Sequence, residues 1–516
     1  MEKLVLTFLS AYFFLFLNLR FVHGATISSC TQTPYPEVCN HYINPNLPST
    51  LYERGFEFHS LAHKVTMDKA IESQRLISAM DLNLFNERAK LAWNDCLELY
   101  EDTINQLNRS ITGSNTPTDA LTWLSASIAN QQTCQNGFND FNLSSSLQYF
   151  PNTLSNFSKL LSNTLAVNKA LASSSTMLHS KQIGGRRLLL SDGFPTWVSA
   201  SDRKLLQSSP KADIVVAQDG SGNYKTISQA VASASNSGRF VIYVKAGVYK
   251  ENVQIKKSNI MLIGDGIDAT IVTGSQSVGG GSTTFRSATV AISGDRFIAR
   301  DITFENTAGP QKHQAVALRS GSDLSIFYKC SFKGYQDTLY VYSQRQFYRD
   351  CDIYGTQDFI FGDAVVVLQS CNIYVRKPLS GQKNTITAQA RTDPNENTGI
   401  IIHNSRVAAA GNLGSVQTFL GRPWQKYSRT VFMKSSLDGL IDPAGWYPWD
   451  GNFALSTLYY AEYMNTGSGA GTSGRVRWPG YHVITSPAVA GKFTVGNFLA
   501  GNSWIAGTGV PFVDGL

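Results

Sequence analysis

Cys330, Cys351 and Cys371 are separated by 21 and 20 residues, and Gln336-Asp337 recurs as Gln357-Asp358 after another 21. Each of the two Asp residues follows a cysteine by seven positions. A spacing shared by thiols and carboxylates constrains the fold more than any other feature, because few architectures return to the same place every twenty or so residues. Around it lie short β-rich runs at 240–244, 260–263, 289–292, 315–318 and 364–368, punctuated by Gly, Asn and Asp, with no long helical stretches between them. Short strands on this period predict stacked coils, that is, a parallel β-helix.

In such a stack, residues one period apart lie one strand spacing apart, ~4.8 Å. The cysteines then form a ladder in which one adjacent pair can bridge and the third stays free. Asp337 and Asp358 form a second ladder, and Gln314, 22 residues before Gln336, adds a third rung beside them. Two carboxylates a rung apart repel, so one holds a proton while its neighbour stays anionic. That pairing gives a proton donor next to a nucleophile or base. Gln side chains offer neutral N–H donors for an oxyanion. Tyr340, Phe359 and Phe361 frame the patch. His313 is a weaker candidate base, because in a strand it projects away from its neighbour Gln314.

The chain has 516 residues, too many for one ordinary domain. Lys3, an apolar run over 4–19 and the small residues Val22 and Gly24 read as a secretory signal peptide over 1–24. No later stretch has the length of a transmembrane helix. In a secreted chain, cysteines are disulfide candidates first. Cys30 and Cys39 bracket a small loop, and Cys96 and Cys134 tie successive helical stretches. Residues 1–206 carry 16 Lys/Arg and 16 Asp/Glu, leaving 28 and 21 for 207–516, so the whole net charge of +7 lies in the second half. A basic secreted domain suggests an acidic partner; nothing in the pattern calls for nucleic acid.

The first half reads as a four-helix bundle over 25–180. Helical spacing runs through 50–84, 87–107 and 119–129, with Thr118 or Asp119 as a cap. Its three sequons, at Asn108, Asn142 and Asn156, mark exposed positions for N-linked sugar. A linker over 181–210 carries two basic pairs, Arg186-Arg187 and Arg203-Lys204, suited to a processing protease. The enzyme domain is expected over 211–516.

Four motifs then converge: Gly309-Pro-Gln-Lys-His-Gln-Ala-Val-Ala-Leu318, Tyr335-Gln-Asp-Thr-Leu-Tyr340, Asp358-Phe-Ile-Phe-Gly362 and Leu420-Gly-Arg-Pro-Trp424. In order and spacing they resemble the signature of plant pectin methylesterases, and the likeness runs from about Ala212 to Leu516. The first half resembles the pectin methylesterase/invertase inhibitor family. Together they look like a pro-enzyme, with a right-handed parallel β-helix behind an inhibitor-like bundle.

The resemblance implies hydrolysis of methyl esters on cell-wall homogalacturonan, to pectate and methanol, without a metal or other cofactor. It implies Asp358 as nucleophile, Asp337 as general acid and base, and Gln314 and Gln336 as the anion hole. Arg422 would hold Asp358 anionic and aimed, Trp424 would stack on a sugar, and Thr284 would touch substrate. It also places a disulfide at Cys351–Cys371, leaving Cys330 free. It implies a monomer after processing, located in the wall, with proteinaceous pectinesterase inhibitors as further partners and the first half inhibiting or assisting export. One departure is Asp363, where many relatives have Asn. Trp446 and Trp449 are expected in the core. No Gly-x-Ser-x-Gly elbow occurs.

Overall fold

The computed structural model describes residues 26–46, 54–112, 116–150, 153–180, 211–235 and 238–516. The signal-peptide reading and both basic pairs of the linker fall outside the described residues.

The first half comprises a short helix α1 (Pro36–Tyr42) and four long ones: α2 (Arg54–Ser78), α3 (Glu87–Ile111), α4 (Pro117–Asn139) and α5 (Thr153–Ser180). The long helices pack as α2–α3, α3–α4, α4–α5 and α5–α2, which closes a four-helix bundle. The start of α4 differs from the expected caps at 118 and 119. Thr116 is the N-cap, its Oγ1 accepting from the Asp119 amide at 3.1 Å, while Asp119 accepts from the Thr116 amide at 3.0 Å. Pro117 takes the first helical position, where its missing N–H costs nothing. Both expected N-terminal disulfides are formed, Cys30–Cys39 anchoring α1 and Cys96–Cys134 joining α3 to α4. Asn108 and Asn142 are exposed; Asn156 is half-buried, its amide donating to the Tyr42 hydroxyl at 3.4 Å.

The second half is a right-handed parallel β-helix. Its strands form three sheets of 11, 8 and 7 strands, and every recorded pairing between them is parallel. Leu318 pairs with Leu339 and Leu339 with Ile360, the spacing of 21 anticipated from the cysteines. Inward side chains such as Phe304, Phe327, Phe332 and Tyr348 fill the coil and stack on one another, Phe327 and Tyr348 at 4.6 Å.

One corner repeats in every central coil. Asp301, Lys329, Asp350, Ser370, Asn404 and Lys434 all have positive φ, and each is followed by an inward residue: Ile302, Cys330, Cys351, Cys371, Ser405 and Ser435. This ladder corrects the expected Cys351–Cys371 bridge. All three cysteines are free thiols. Cys330 and Cys351 donate to the carbonyl two residues back, at 3.5 and 3.3 Å, as Ser405 and Ser435 do at 3.0 and 3.1 Å. From Cys330 on, the position holds a small inward donor that satisfies the turn, and a thiol serves there as a hydroxyl does at Ser405 and Ser435.

The bundle lies on the seven-stranded sheet. Along this contact the Trp123 indole donates to Asp323 at 3.0 Å, Tyr342 donates to Asn130 at 2.6 Å, and Arg345 donates to Asp119 at 2.6 Å. Apolar residues of both halves, including Leu124, Phe138, Phe285 and Tyr340, share one buried cluster.

Candidate active site

Asp337 and Asp358 stand at equivalent turns, each entering a strand of the seven-stranded sheet, Leu339–Val341 and Ile360–Gly362. Both have positive φ, 61° and 49°, a region Asp tolerates better than most side chains. The Asp337 amide donates to the Gln357 carbonyl at 3.0 Å, which fixes the two turns one above the other. They open into a cavity of 590 Å³ that is also lined by Gln314, Gln336, Tyr340, Phe361, Arg422, Trp424 and Thr284. All seven residues implied for the site therefore meet in one place.

Gln314 takes the expected third rung, 22 residues before Gln336. The Ala315 amide donates to the Gln336 carbonyl at 3.2 Å, in the same ladder pattern by which the Asp337 amide reaches the Gln357 carbonyl, and this levels Gln314 with Gln336. Residues 313–317 are not a strand, and this lets the Gln314 side chain face the cavity while His313 stays exposed. Trp449 also departs from expectation. It is 37% exposed, lines the cavity and lies under the Arg422 guanidinium at 4.4 Å, whereas Trp446 is core, stacked on Tyr460 at 4.2 Å.

The two carboxylates are unlike. Arg422 grips Asp358 at two points, Nε to Oδ1 at 2.9 Å and Nη2 to Oδ2 at 2.5 Å. Thr385 Oγ1 donates to Asp358 Oδ1 at 2.6 Å and accepts from the Asp358 amide at 3.0 Å. Asp337 has no such cation. Burial pushes its carboxyl well above the usual range, and the charges of Asp358 and Asp140 push it further, against Arg422. Thr385 escaped sequence reasoning because the coil there is longer: Ile360 pairs with Thr387, a step of 27 instead of 21. A rung count corrected for that insertion would have found it directly above Asp358.

The other wall of the cavity belongs to α4, through Gln132, Thr133 and Asn136, and to Asp140, which caps its C-terminal end. Asp140 Oδ2 accepts from the Thr284 amide at 2.8 Å, and burial raises its carboxyl to about 6. Asp363, the departure from the motif, turns away from the cavity. It accepts from Gln389 at 2.9 Å and Thr398 at 2.6 Å in the interior.

A carboxyl raised by burial beside an arginine-held carboxylate, with amide donors at the rim of a groove on a parallel β-helix, is an arrangement suited to a carboxylic ester hydrolase. Comparison with known proteins agrees. The Pectinesterase family profile matches residues 213–502, and the Plant invertase/pectin methylesterase inhibitor profile matches 25–167. The chain belongs to the pectinesterase family, in the form that carries an inhibitor-like region ahead of the enzyme. It is 55% identical to Pectinesterase 2 of Citrus sinensis, over 95% of this chain and 94% of that one. It is 56% identical to Probable pectinesterase/pectinesterase inhibitor 6 of Arabidopsis thaliana, over 97% and 96%. The solved pectin methylesterase from carrot shares 60% identity with a TM-score of 0.59, covering 60% of this chain and 99% of its own. That carrot chain has the extent of the β-helical half, so a half of this kind folds without the helices.

Proposed function

We propose that the chain is a secreted enzyme that hydrolyses methyl esters of cell-wall homogalacturonan through Asp358 and Asp337, and that its helical half holds it inactive until removed. The observation carrying the catalytic part is the asymmetry of the pair: one carboxylate compensated and aimed by Arg422, its neighbour raised and uncompensated.

Asp358 attacks the ester carbonyl carbon. The carbonyl oxygen becomes an oxyanion, which takes N–H donors from Gln314 and Gln336. As the tetrahedral intermediate collapses, Asp337 gives its proton to the departing methoxide, releasing methanol and leaving an anhydride between Asp358 and the uronate. Asp337, now a carboxylate, takes a proton from water, whose oxygen attacks the uronate carbonyl. The free galacturonate leaves, Asp358 is restored, and Asp337 is protonated again. Trp424 and Trp449 at the rim, with Tyr340 and Phe361 on the floor, offer apolar faces to the sugars, and Thr284 offers its amide.

Inhibition in cis is supported by α4, which supplies one wall of the catalytic cavity and sets Asp140 on the Thr284 amide. The reading divides the chain into a signal peptide over 1–24, a helical pro-region over 25–180 with sugars at its sequons, a linker over 181–210 and an enzyme over 211–516. A protease cutting at Arg186-Arg187 or Arg203-Lys204 would release a basic monomeric enzyme to the wall, open to separate inhibitor proteins on the vacated face. The test compares methanol release from methyl-esterified pectin by residues 211–516 and by the full chain. The β-half is expected to be at least about tenfold faster, without shortening the polymer. Equal rates would remove the inhibitory role, and no methanol from either would remove the catalytic one.

A further inference from the structure

The floor of the groove continues past the reaction centre. Gln254, Ala291, Arg319, Tyr340, Phe361 and Ala388 stand in register across six neighbouring parallel strands. Tyr340 and Phe361 line the catalytic cavity, so Arg319 is the next rung, one strand spacing of ~4.8 Å further toward the first coils.

Arg319 is only 8% exposed, and its guanidinium lies over the Phe285 ring at 3.3 Å. No carboxylate among the described residues reaches ion-pairing distance of it, and its Nε is buried with no hydrogen-bond partner. Burial lowers its affinity for its own proton. A guanidinium left this way is costly to the fold. It also lines two cavities, of 260 and 200 Å³. Nearby stand two more cations, Arg286 and Lys256.

The helical half answers this basic lane with acids on one face of α3. Asp95 pairs with Arg286 and accepts from Thr283 at 2.5 Å. Glu98 pairs with both Arg286 and Lys256 at 3.4 Å, and Asp102 lines the cavity beside Arg319. Positions 95, 98 and 102 repeat at helical spacing, so the three acids face one way.

We propose that Arg319, flanked by Arg286 and Lys256, is a carboxylate subsite that takes the free carboxylate of a galacturonate unit already stripped of its ester, and that the acids of α3 stand in for such carboxylates while the helical half is docked. The subsite rests on the pectinesterase reading. It makes the enzyme choose esters that have a de-esterified neighbour on the side of the first coils. The planar fork of Arg suits bidentate binding of a carboxylate, and stacking on Phe285 holds the fork in one orientation.

The test uses residues 211–516 and two measurements. The first is calorimetric affinity for an unesterified galacturonate hexamer. The second is kcat/KM on a partly esterified hexamer divided by that on the fully methyl-esterified one. In Arg319→Gln the hexamer is expected to bind at least about tenfold more weakly, and the ratio to fall by a similar factor through KM. Arg319→Lys, which keeps a point charge, is expected to fall between the two, and it carries the measurement if the Gln variant does not fold. Unchanged affinity, or equal loss on both substrates, overturns the subsite. A wild-type β-half that binds the hexamer through Arg319 yet releases no methanol would leave the subsite standing and remove the catalytic reading. Methanol release indifferent to Arg319 would do the reverse.

Discussion

Two pairs of carboxyl groups sit at opposite ends of the strand Ile360–Gly362. At one end Asp358 faces Asp337 across a cavity, and at the other Asp363 meets Glu396 in the interior. In the first pair a cation compensates one member alone. Arg422 takes both oxygens of Asp358, and Asp337 is left raised. In the second, Arg391, Gln389 and Thr398 favour the charge of Asp363, but both carboxyls are buried. Both are pushed up by that burial, Glu396 further by the charge of Asp363, which makes Glu396 the member favoured to hold a proton. Backbone amides of Thr392 and Asp393 complete Glu396 at 3.0 and 2.6 Å. Repulsion between carboxylates thus makes a proton donor for a substrate where the pair opens on a cavity, as at Asp337. Sealed from solvent, the same chemistry holds a loop.

The sharpest way to break the comparison is at the compensated member. Asp358→Asn should keep the shape of the turn and cut methanol release by about 10⁴-fold or more, with the thermal melt unchanged. Activity near that of the parent would strip Asp358 of its role. Asp337→Asn is expected to lose about 10²–10⁴-fold, and mainly in kcat, because methoxide then departs without a proton. Its raised carboxyl also sets a pH limb: hydrolysis should fall as pH rises through the Asp337 value in the complex, and a flat profile on that side would contradict the assignment.

Thr385 sharpens the contrast within the pair, since it touches Asp358 alone. Thr385→Val removes one hydrogen bond to a charged oxygen and should cost about tenfold in kcat, read by methanol release on saturating pectin. The smallest effect belongs to the sealed pair. Glu396 takes up a proton on folding, so this contribution is present at acid pH and is lost as pH rises from its unfolded value through its raised folded one. Asp363→Asn removes the neighbouring charge. Its melting temperature should therefore drop less than the parent's, by a few degrees, as pH rises from the unfolded carboxylate range through the raised Glu396 value. Parallel curves would show that Glu396 does not hold the proton there.

Much of this site was legible beforehand because a β-helix turns sequence spacing directly into distance. The step of 21 put Asp337 beside Asp358, and it survives in the strand register. The same arithmetic failed where a coil changes length. Thr385 was missed across a step of 27, whereas the step of 22 did place Gln314 level with Gln336. The cysteines show a different limit. Their spacing made a bridge geometrically available, but whether a stacked thiol bonds sulphur or a carbonyl depends on the corner it occupies, and Ser405 and Ser435 occupy the same one.

What the sequence determined by itself is the local and the periodic: helices with apolar stripes, strands on a twenty-residue beat, and a dyad of acids at one spacing. Each depends on interactions within one coil or between adjacent coils, and spacing encodes those. Tertiary structure alone decided that α4 walls the cavity with Asp140 on the Thr284 amide, that Asp363 turns inward to Glu396, and that Arg319 lies without a carboxylate under α3. These contacts join residues from 33 to more than 200 positions apart in the chain, with no period to announce them. They are fixed by which surfaces remain to be buried once each half has folded, and that is a property of the assembled shape.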